Sequence, residues 1–326
     1  MDQDNYRLLY KIAKAYYDDQ LTQQEIGDRF GLSRVKVNRL LSRAREERIV
    51  QVQIVAPEST ETEVERALEQ QCGLQEAVIV PSSENHDELL RNLGEGAAAY
   101  VRRILSGNEV IGIFWGTSLY AMVEAMSPLN MPDVRIVQML GGLGDPDADI
   151  HGAEIARRFA QIIQARPRML ASPGVVANST VRDALFADAQ ISDTLSLAAQ
   201  ADVALVGIGT LDQHSVVLRA GTILSAADVK RLKGKKMVGD IGLRFFDRNG
   251  ESLEDELNER IIGVTLEQIR SIRRVVAVAG GPEKFDAICG ALRGQYLNVL
   301  VTDRSTAERL LSADLKPVSP AGRVRV

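Results

Sequence analysis

The 326-residue sequence lacks several features that mark other classes of protein. Its only two cysteines, Cys72 and Cys289, are far apart and not at metal-ligand spacing, so we expect neither a disulfide framework nor a zinc site. No apolar run approaches the roughly 20 residues that cross a bilayer, and the N-terminus is too polar for a secretory signal. These absences predict a cytoplasmic protein with no membrane partner.

Signatures of catalysis and of nucleotide cofactors are absent as well. The sequence contains no GxxxxGKS/T phosphate loop, no GxGxxG that follows a strand with a suitably placed acid, and no GxSxG nucleophile elbow. Its three histidines, His86, His151 and His214, stand alone, and we predict surface or loop positions for them. We therefore expect no catalytic residue, no metal and no cofactor.

The charge of the chain is unevenly distributed. The net charge is −5, yet residues 1–56 hold 10 Lys and Arg against 8 Asp and Glu, whereas the remainder holds 29 against 36. A basic group of side chains falls within residues 29–48, namely Arg29, Arg34, Lys36, Arg39, Arg43, Arg45 and Arg48. A local basic patch on an acidic protein is typical of a small domain that binds phosphates, and the chain length allows a second, larger domain.

Residues 21–41, LTQQEIGDRFGLSRVKVNRLL, predict two short helices joined by a tight turn. Thr22 and Glu25 form a capping box at the start of the first helix. Gly31 supplies the left-handed conformation that ends this helix, and Ser33 caps the second. The inward-facing residues of the second helix are Val37, Leu40, Leu41 and Ala44. This layout predicts a helix-turn-helix, whose second helix enters the major groove of DNA.

The outward face of the second helix carries the predicted DNA contacts. Arginine pairs bidentately with guanine, and asparagine does so with adenine. The candidate DNA-binding residues are Thr22, Gln23, Ser33, Arg34, Lys36, Asn38, Arg39 and Arg43. The alternative is a solvated charged face without a partner. The alternating segment IVQVQIV, residues 49–55, predicts a wing strand, and residues 6–17 predict a packing helix.

The rest of the chain alternates β-rich runs with amphipathic helices. Predicted strands are residues 76–81, 110–114, 134–140, 203–209, 275–280 and 297–303, and predicted helices are 88–105, 118–126, 152–164, 180–186, 282–293 and 305–311. This alternation predicts a mostly parallel sheet with helices on both faces. The predicted organisation is a DNA-binding domain at 1–56, a linker at 57–63, an α/β effector domain at 64–312 and a tail at 313–326.

Loops rich in glycine and hydroxyl groups are predicted in this part of the chain, among them VGDIG at residues 238–242. Gly116, Thr117 and Ser118 open a helix after one strand, and residues 280–284 do so after another and add Lys284. Backbone amides at helix starts bind anions, and lysine supplies a matching charge. The alternative for each loop is a tight turn without a ligand. Because ligands of such sheets bind at the carboxyl ends of strands, these loops together predict a binding site.

Over residues 6–312 the chain resembles the SorC family of sugar-responsive bacterial transcriptional regulators. The likeness rests on the segments YYDDQLTQQEIGDRFGLSRVKVNRLL, VIGIFWGTS, QMLGGLG, AAQADVALVGIGT, VGDIGLRFFDRNGE and VAGGPEKFDAICGALRGQYLNVLVTD in this order. The resemblance implies a winged helix-turn-helix joined to a Rossmann-like effector domain with the fold of sugar-phosphate isomerases and deaminases. It also implies a tetramer, a repressor role, and a sugar or phosphorylated sugar that changes operator binding.

The resemblance further implies roles for individual residues. Gly116, Thr117 and Ser118 would cradle a phosphate or hydroxyl, Asp240 would accept hydrogen bonds from sugar hydroxyls, and Lys284 would pair with the anion. Asn178 and Gly142 are implied as neighbours of the effector. Asp240 could instead be a turn residue that bonds its own backbone, and Lys284 a solvated helix position.

A second function remains open at the level of the sequence. The implied fold also occurs in active isomerases and deaminases, so the chain could be an enzyme with a DNA-binding appendage. Such chemistry needs a placed general base, and the sequence offers no histidine or paired-carboxylate constellation for that role. We therefore favour a regulator that binds double-stranded operator DNA and a small carbohydrate.

Overall fold

The structure is a computed structural model that describes residues 3–51, 61–142, 152–211, 224–313 and 315. The chain divides into two compact units, residues 1–60 and residues 61–326. The predicted wing strand at 49–55 lies mostly outside the described residues, as do His151, His214 and most of the predicted linker and tail. The last two residues of the predicted linker belong to a helix of the larger unit.

The described residues of the smaller unit form three helices, α1 at Gln3–Tyr17, α2 at Gln23–Phe30 and α3 at Arg34–Glu46. All three contribute to one apolar core, because the amphipathic face of each helix turns inward. Fully buried members of this core include Ile12, Ile26, Val37 and Leu41, whereas Leu40 is half-buried at its edge. The predicted pair of short helices with its packing helix is therefore present.

The larger unit is built on a seven-stranded sheet in which every pairing is parallel. Its strands are β1 at Glu76–Val80, β2 at Val110–Ile113, β3 at Arg135–Gln138, β4 at Arg166–Arg168, β5 at Val203–Gly207, β9 at Arg274–Val278 and β10 at Val299–Asp303. The three strands between β5 and β9 form a separate sheet. All residues of β2 and β10 are buried, so both faces of the sheet are covered.

The strand order of the sheet is β1-β10-β9-β5-β2-β3-β4. β2 and β5 are neighbours although two described strands and four described helices separate them along the chain, and the parallel pairing leaves their carboxyl ends on one edge of the sheet. Ligand sites of parallel sheets form at this edge. The ends of β9, β5 and β2, which lie side by side, are therefore the place to look for an effector site.

Helices connect the strands and form the outer layers. They are α4 at Thr62–Cys72, α5 at His86–Ile104, α6 at Thr117–Ala125, α7 at Gly152–Ile162, α8 at Ser179–Phe186, α9 at Ala189–Ala199, α10 at Ala226–Gly234, α11 at Leu266–Ser271, α12 at Phe285–Arg293 and α13 at Arg304–Ser312. The predicted helix at 282–293 is divided, because Pro282–Lys284 forms a 3-10 turn before α12 begins.

A second, three-stranded antiparallel sheet was not predicted. It consists of β6 at Gly209–Thr210, β7 at Met237–Ile241 and β8 at Arg244–Asp247. The predicted strand at 203–209 was therefore too long, since β5 ends at Gly207 and the chain then enters the second sheet. Asp240 was also misplaced, because it lies within β7 rather than in a loop. The predicted α/β class with a mostly parallel sheet is confirmed.

Candidate functional site

The helix-turn-helix is fixed by caps that the local sequence specifies. The Thr22 side chain accepts from the Glu25 N–H at 3.3 Å while a Glu25 carboxylate oxygen accepts from the Thr22 N–H at 2.8 Å, which completes the capping box. Gly31 ends α2 at φ 65°. A Cβ on Gly27 would lie 2.6 Å from the carbonyl oxygen of Leu32, so the turn approaches α2 where only glycine fits.

The predicted DNA contacts on α3 lie on the solvent side of the helix. Its buried residues are Val37, Leu41 and Ala44, and its exposed predicted contacts are Arg34, Lys36, Asn38, Arg39 and Arg43. The Ser33 hydroxyl caps the helix by accepting from the Lys36 N–H at 3.3 Å. These exposed residues include four basic side chains along α3, which can meet a phosphate backbone and base edges.

Two contacts distinguish individual members of this face. The Gln23 side-chain amide donates to Asn38 Oδ1 at 3.5 Å, so α2 helps to orient a predicted base-reading residue. Arg43 Nε lies 2.7 Å from a carboxylate oxygen of Glu47, and this ion pair draws it toward the end of α3. Arg34 and Arg39 remain at the N-terminal half of the helix, which is the part that reads bases in this motif.

The proposed effector site begins with the loop after β2. Gly116 adopts φ 144° before α6, and a Cβ added there would meet no atom within 4 Å, so open space lies in front of the helix start. Thr117 is half-buried, and Ser118 is only 3% exposed. α6 is nine residues long and has no side-chain cap at Gly116, and backbone amides at such a helix start can bind an anion or a hydroxyl.

The loop after β2 packs against the turn that follows Asp240. A Cβ on Gly242 would lie 2.1 Å from the ring of Phe114, and Gly242 adopts φ 59°. Only glycine meets both conditions, because other residues rarely take a positive φ and none fits against the ring. This close contact brings the turn between β7 and β8 beside the start of α6.

Asp240 is the most unusual side chain of the site. It is 4% exposed and pairs in register with Gly209 of β6. Its Oδ2 accepts from the Leu243 N–H at 2.9 Å, but its Oδ1 is buried and accepts no hydrogen bond among the described residues. One oxygen thus bonds the local backbone, as in a turn, and the role of Asp240 toward a ligand stays a prediction.

The environment of Asp240 perturbs its ionisation. Burial raises the pKa of this carboxyl to about 6, although the Leu243 N–H and the positive charge of Lys284 act in the opposite direction. Lys284 is therefore near enough for its charge to act on the Asp240 carboxyl. Lys284 is half-buried at the end of the 3-10 turn, so it is not a fully solvated helix position.

Gly142 and Asn178, the two weaker predictions, have local structural partners. The Gly142 N–H donates to the Ser172 carbonyl at 2.8 Å, and Gly142 accepts from the Gly174 N–H at 2.6 Å. The Asn178 side chain accepts from the Val181 N–H at 3.1 Å and caps α8. Both residues are exposed, and the described contacts join neither of them to Asp240.

Sequence reasoning missed two buried charged residues that support the site. Asp303 ends β10 at 1% exposure and holds the loop after β9 through the Gly281 N–H. Arg244, at 6% exposure, donates to the carbonyls of residues 258, 261, 263 and 264, and burial lowers its pKa to about 10. The only sequence signal was a charge within an apolar run, at "NVLVTD" and "GLRFF".

Other chemistries find no support in the part of the chain that the structure describes. Within those residues no cluster of three or more His, Cys, Asp or Glu side chains could hold a metal ion. Among the described helices none is long and apolar enough to cross a membrane. Burial raises the pKa of the Cys72 thiol to about 12, so this cysteine is a poor nucleophile.

Comparisons with known proteins agree with both halves of this description. Residues 57–312 match the family described as "Putative sugar-binding domain", and residues 11–47 match region 4 of sigma-70. The Deoxyribonucleoside regulator of Bacillus subtilis is 33% identical over 313 residues, which are 96% of this chain and 99% of that protein. The Sorbitol operon regulator of Klebsiella pneumoniae is 31% identical and covers 94% and 98%.

Solved structures give the same result. The crystal structure of the full-length Sorbitol Operon Regulator SorC from Klebsiella pneumoniae superposes with a TM-score of 0.72 at 32% identity, and covers 94% of this chain and 99% of that one. The relatives are regulators rather than enzymes, which decides against the isomerase alternative. The chain therefore belongs to the SorC family of sugar-binding bacterial transcriptional regulators and is a DNA-binding regulator with a sugar-responsive effector domain.

Proposed function

We propose that the protein represses a carbohydrate catabolic operon in the cytoplasm and that a phosphorylated sugar or polyol relieves the repression. The observation that carries this proposal is the buried Oδ1 of Asp240, to which no described residue donates a hydrogen bond and whose carboxyl is within the electrostatic influence of Lys284. A ligand with hydroxyls and a phosphate has the complementary chemistry. The names of two relatives, a sorbitol operon regulator and a deoxyribonucleoside regulator, also point to polyhydroxy compounds.

Each group of the site has a defined task in this proposal. Carboxylate oxygens accept from hydroxyls, so Asp240 Oδ1 binds a sugar hydroxyl. Lys284 and the backbone amides of residues 116–118 donate to phosphate, for which charge-assisted hydrogen bonds are strong. Because the unbound carboxylate lacks one partner, a ligand hydroxyl recovers free energy that the unliganded protein forgoes. Gly142 and Asn178 would border the ligand without contributing charge.

Operator binding is proposed to reside in the helix-turn-helix. Arg34, Asn38 and Arg39 would contact base edges, and the remaining candidates, Thr22, Gln23, Ser33, Lys36 and Arg43, would contact phosphates. A homo-oligomer, most simply a tetramer, would present paired recognition helices to a palindromic site. The ligand relieves repression only if it binds the state that releases DNA more tightly than the state that holds it.

A thermal-shift screen with matched ligand pairs tests the effector half. The pairs are sorbitol with sorbitol 6-phosphate and 2-deoxyribose with 2-deoxyribose 5-phosphate. At about 100 times its dissociation constant a ligand adds roughly 2.7 kcal/mol of stability, which such a screen detects. We expect a shift with a phosphorylated compound that is lost in Lys284→Met and Asp240→Asn and retained in the control Lys233→Met, which alters an exposed lysine of α10.

The outcomes separate the parts of the proposal. A shift with the free sugar that survives Lys284→Met would rule out the phosphate. For the operator half, DNA selected from a random pool by the full-length protein serves as the probe in fluorescence anisotropy. We expect the active ligand to lower its affinity. An affinity that rises with ligand would contradict the proposal that the ligand relieves repression.

A further inference from the structure

Asp303 joins the carboxyl ends of three neighbouring strands. It ends β10, which lies between β1 and β9, and its side chain is 1% exposed. Its carboxylate accepts five hydrogen bonds, from the Ser82 hydroxyl at 3.0 Å, the Ser305 hydroxyl at 2.5 Å, the Thr306 hydroxyl at 2.6 Å, the Thr306 N–H at 3.1 Å and the Gly281 N–H at 2.8 Å. These donors hold the pKa of Asp303 below its usual range despite burial.

The two oxygens of this carboxylate serve different parts of the fold. Oδ2 accepts from Ser82, from the Ser305 hydroxyl and from the Thr306 N–H, so it caps α13. Oδ1 accepts from the Gly281 N–H and from the Thr306 hydroxyl. The same Gly281 N–H also reaches Thr306 Oγ1 at 3.1 Å. Thr306 and Oδ1 thus hold one amide of the loop after β9 between them.

The loop is shaped to fit this pair of acceptors. A Cβ on Gly280 would lie 2.5 Å from Oδ1 of Asp303, and Gly281 adopts φ 97°. Lys284 is tied directly to Gly281, because the Lys284 N–H donates to the Gly281 carbonyl at 3.2 Å and closes the 3-10 turn. A displacement of Gly281 therefore moves Lys284.

Helix α13 holds the same loop at a second point. Arg309 donates to the Pro282 carbonyl at 3.2 Å, and its guanidinium lies 4.2 Å from the centre of the Phe285 ring. The loop that carries Lys284 is thus fixed from α13 on both sides of the lysine. The Thr306 contact differs from the Arg309 contact in being buried, since Thr306 is 1% exposed and Arg309 is exposed.

We propose that Thr306, through its hydroxyl and Oδ1 of Asp303, is a positioning residue that sets the place of Lys284 in the effector site. This inference rests on the proposed role of Lys284 in anion binding. The hydroxyl of Thr306 is suited to the task because it donates to Oδ1 and accepts from Gly281 at once, which fixes its orientation. Valine has nearly the same shape without the hydroxyl, so it removes both hydrogen bonds of Thr306 and leaves the Gly281 N–H with Oδ1 of Asp303 alone.

The first test needs no ligand. Hydrogen exchange of the peptide that contains Gly281 is measured in the full-length wild type and in Thr306→Val, Thr306→Ser and Ser305→Ala. Ser305→Ala is the matched control, because it removes one hydroxyl from Oδ2 of the same carboxylate. We expect Thr306→Val to speed exchange at Gly281 about tenfold, and the other two variants to exchange as the wild type does. Equal exchange in Thr306→Val and Ser305→Ala would overturn the proposal.

The second test measures the consequence for anion binding, with inorganic phosphate as the probe. We expect the apparent phosphate affinity from thermal shifts to fall about tenfold in Thr306→Val, to recover in Thr306→Ser and to stay unchanged in Ser305→Ala. Equal losses in Thr306→Val and Ser305→Ala would mean that only the stability of α13 matters, which also overturns the proposal. If neither phosphate nor sugar phosphates stabilise the wild type, the proposed role of Lys284 fails, whereas the exchange experiment still decides whether Thr306 positions the loop.

Discussion

The two proposed binding surfaces of this protein are built in opposite ways. The face of α3 consists of long charged side chains in solvent, above a core that includes Val37 and Leu41. The proposed effector site instead includes Asp240, a buried carboxylate of which one oxygen has no hydrogen-bond partner among the described residues. An exposed arginine costs the folded state little, whereas an unpartnered buried carboxylate destabilises it. The DNA-binding surface can thus be altered without loss of fold, whereas alteration of the effector site changes stability as well.

The largest effect is expected from the exposed surface. Arg34→Ala combined with Arg39→Ala should weaken operator binding by about 2–6 kcal/mol, since each bidentate arginine contributes about 1–3 kcal/mol. The effector-induced thermal shift should not change. The matched control is Arg29→Ala combined with Arg45→Ala, which removes the same charge from exposed positions outside the predicted contacts. Fluorescence anisotropy with operator DNA measures the affinity of both double variants. Equal losses of affinity would mean that α3 contributes only nonspecific positive charge.

The next effect tests whether Asp240 destabilises the unliganded protein. Burial raises the pKa of its carboxyl from the ordinary value of 3.8 to about 6, so between these pH values the folded protein holds a proton that the unfolded chain has released. The stability contributed by Asp240 therefore falls as pH rises from about 4 to about 6 and stays low above. Asp240→Asn removes this dependence, and at pH 7 the variant should be more stable by up to about 3 kcal/mol.

Urea unfolding of both proteins at several pH values measures this difference. The stability advantage of Asp240→Asn should vanish near pH 4, where the carboxyl is protonated in the folded and unfolded chains alike. A saturating concentration of effector should also remove this stability advantage, since a ligand hydroxyl that donates to Oδ1 stabilises the ionised carboxylate of Asp240. A variant that is less stable than the wild type at pH 7, with no change toward pH 4, would contradict the assignment of Oδ1 as an unpartnered acceptor.

A glycine-to-alanine substitution made once in each unit tests whether operator binding and the effector response can be altered separately. Gly27→Ala would place a Cβ 2.6 Å from the Leu32 carbonyl oxygen, and Gly209→Ala would place one 2.1 Å from Asp240 Oδ1. Each should cost about 1–3 kcal/mol, since close-packed sites tolerate added atoms poorly. Gly27→Ala should weaken operator binding and spare the effector response, and Gly209→Ala should do the reverse. Loss of both activities in either variant would contradict the separation.

Local features of the fold were predictable from sequence, whereas the long-range geometry of the effector site was not. The capping box at Thr22 and the turn at Gly31 involve residues only a few positions apart, so their pattern appears in the sequence itself. Asp303 could not be recognised in this way. Its donors come from residues 82, 281, 305 and 306, and only the folded sheet brings the distant members together.

The error at Asp240 has a similar cause. The segment VGDIG was interpreted as a loop because of its glycines, yet it largely forms β7. Glycine is needed at position 239 of that strand because a Cβ there would be 2.6 Å from the Cβ of Ala287. Gly242 lies in the following turn, against the ring of Phe114. Glycine in a strand often marks a close approach of another element rather than a break. The residue itself was found through the family resemblance, and its burial and free oxygen were not foreseen.

The smallest predicted effect concerns Ser33, which has two proposed tasks. Its hydroxyl accepts from the Lys36 N–H at 3.3 Å and caps α3, and it is also a candidate phosphate contact. Ser33→Ala should cost about 1 kcal/mol of stability, whereas Ser33→Gly should cost only a few tenths, because glycine is tolerated at this position of a helix. Ser33→Gly therefore removes the hydroxyl from the DNA contact while nearly preserving the helix. We expect it to weaken operator binding about threefold in anisotropy, and unchanged binding would assign Ser33 to capping alone.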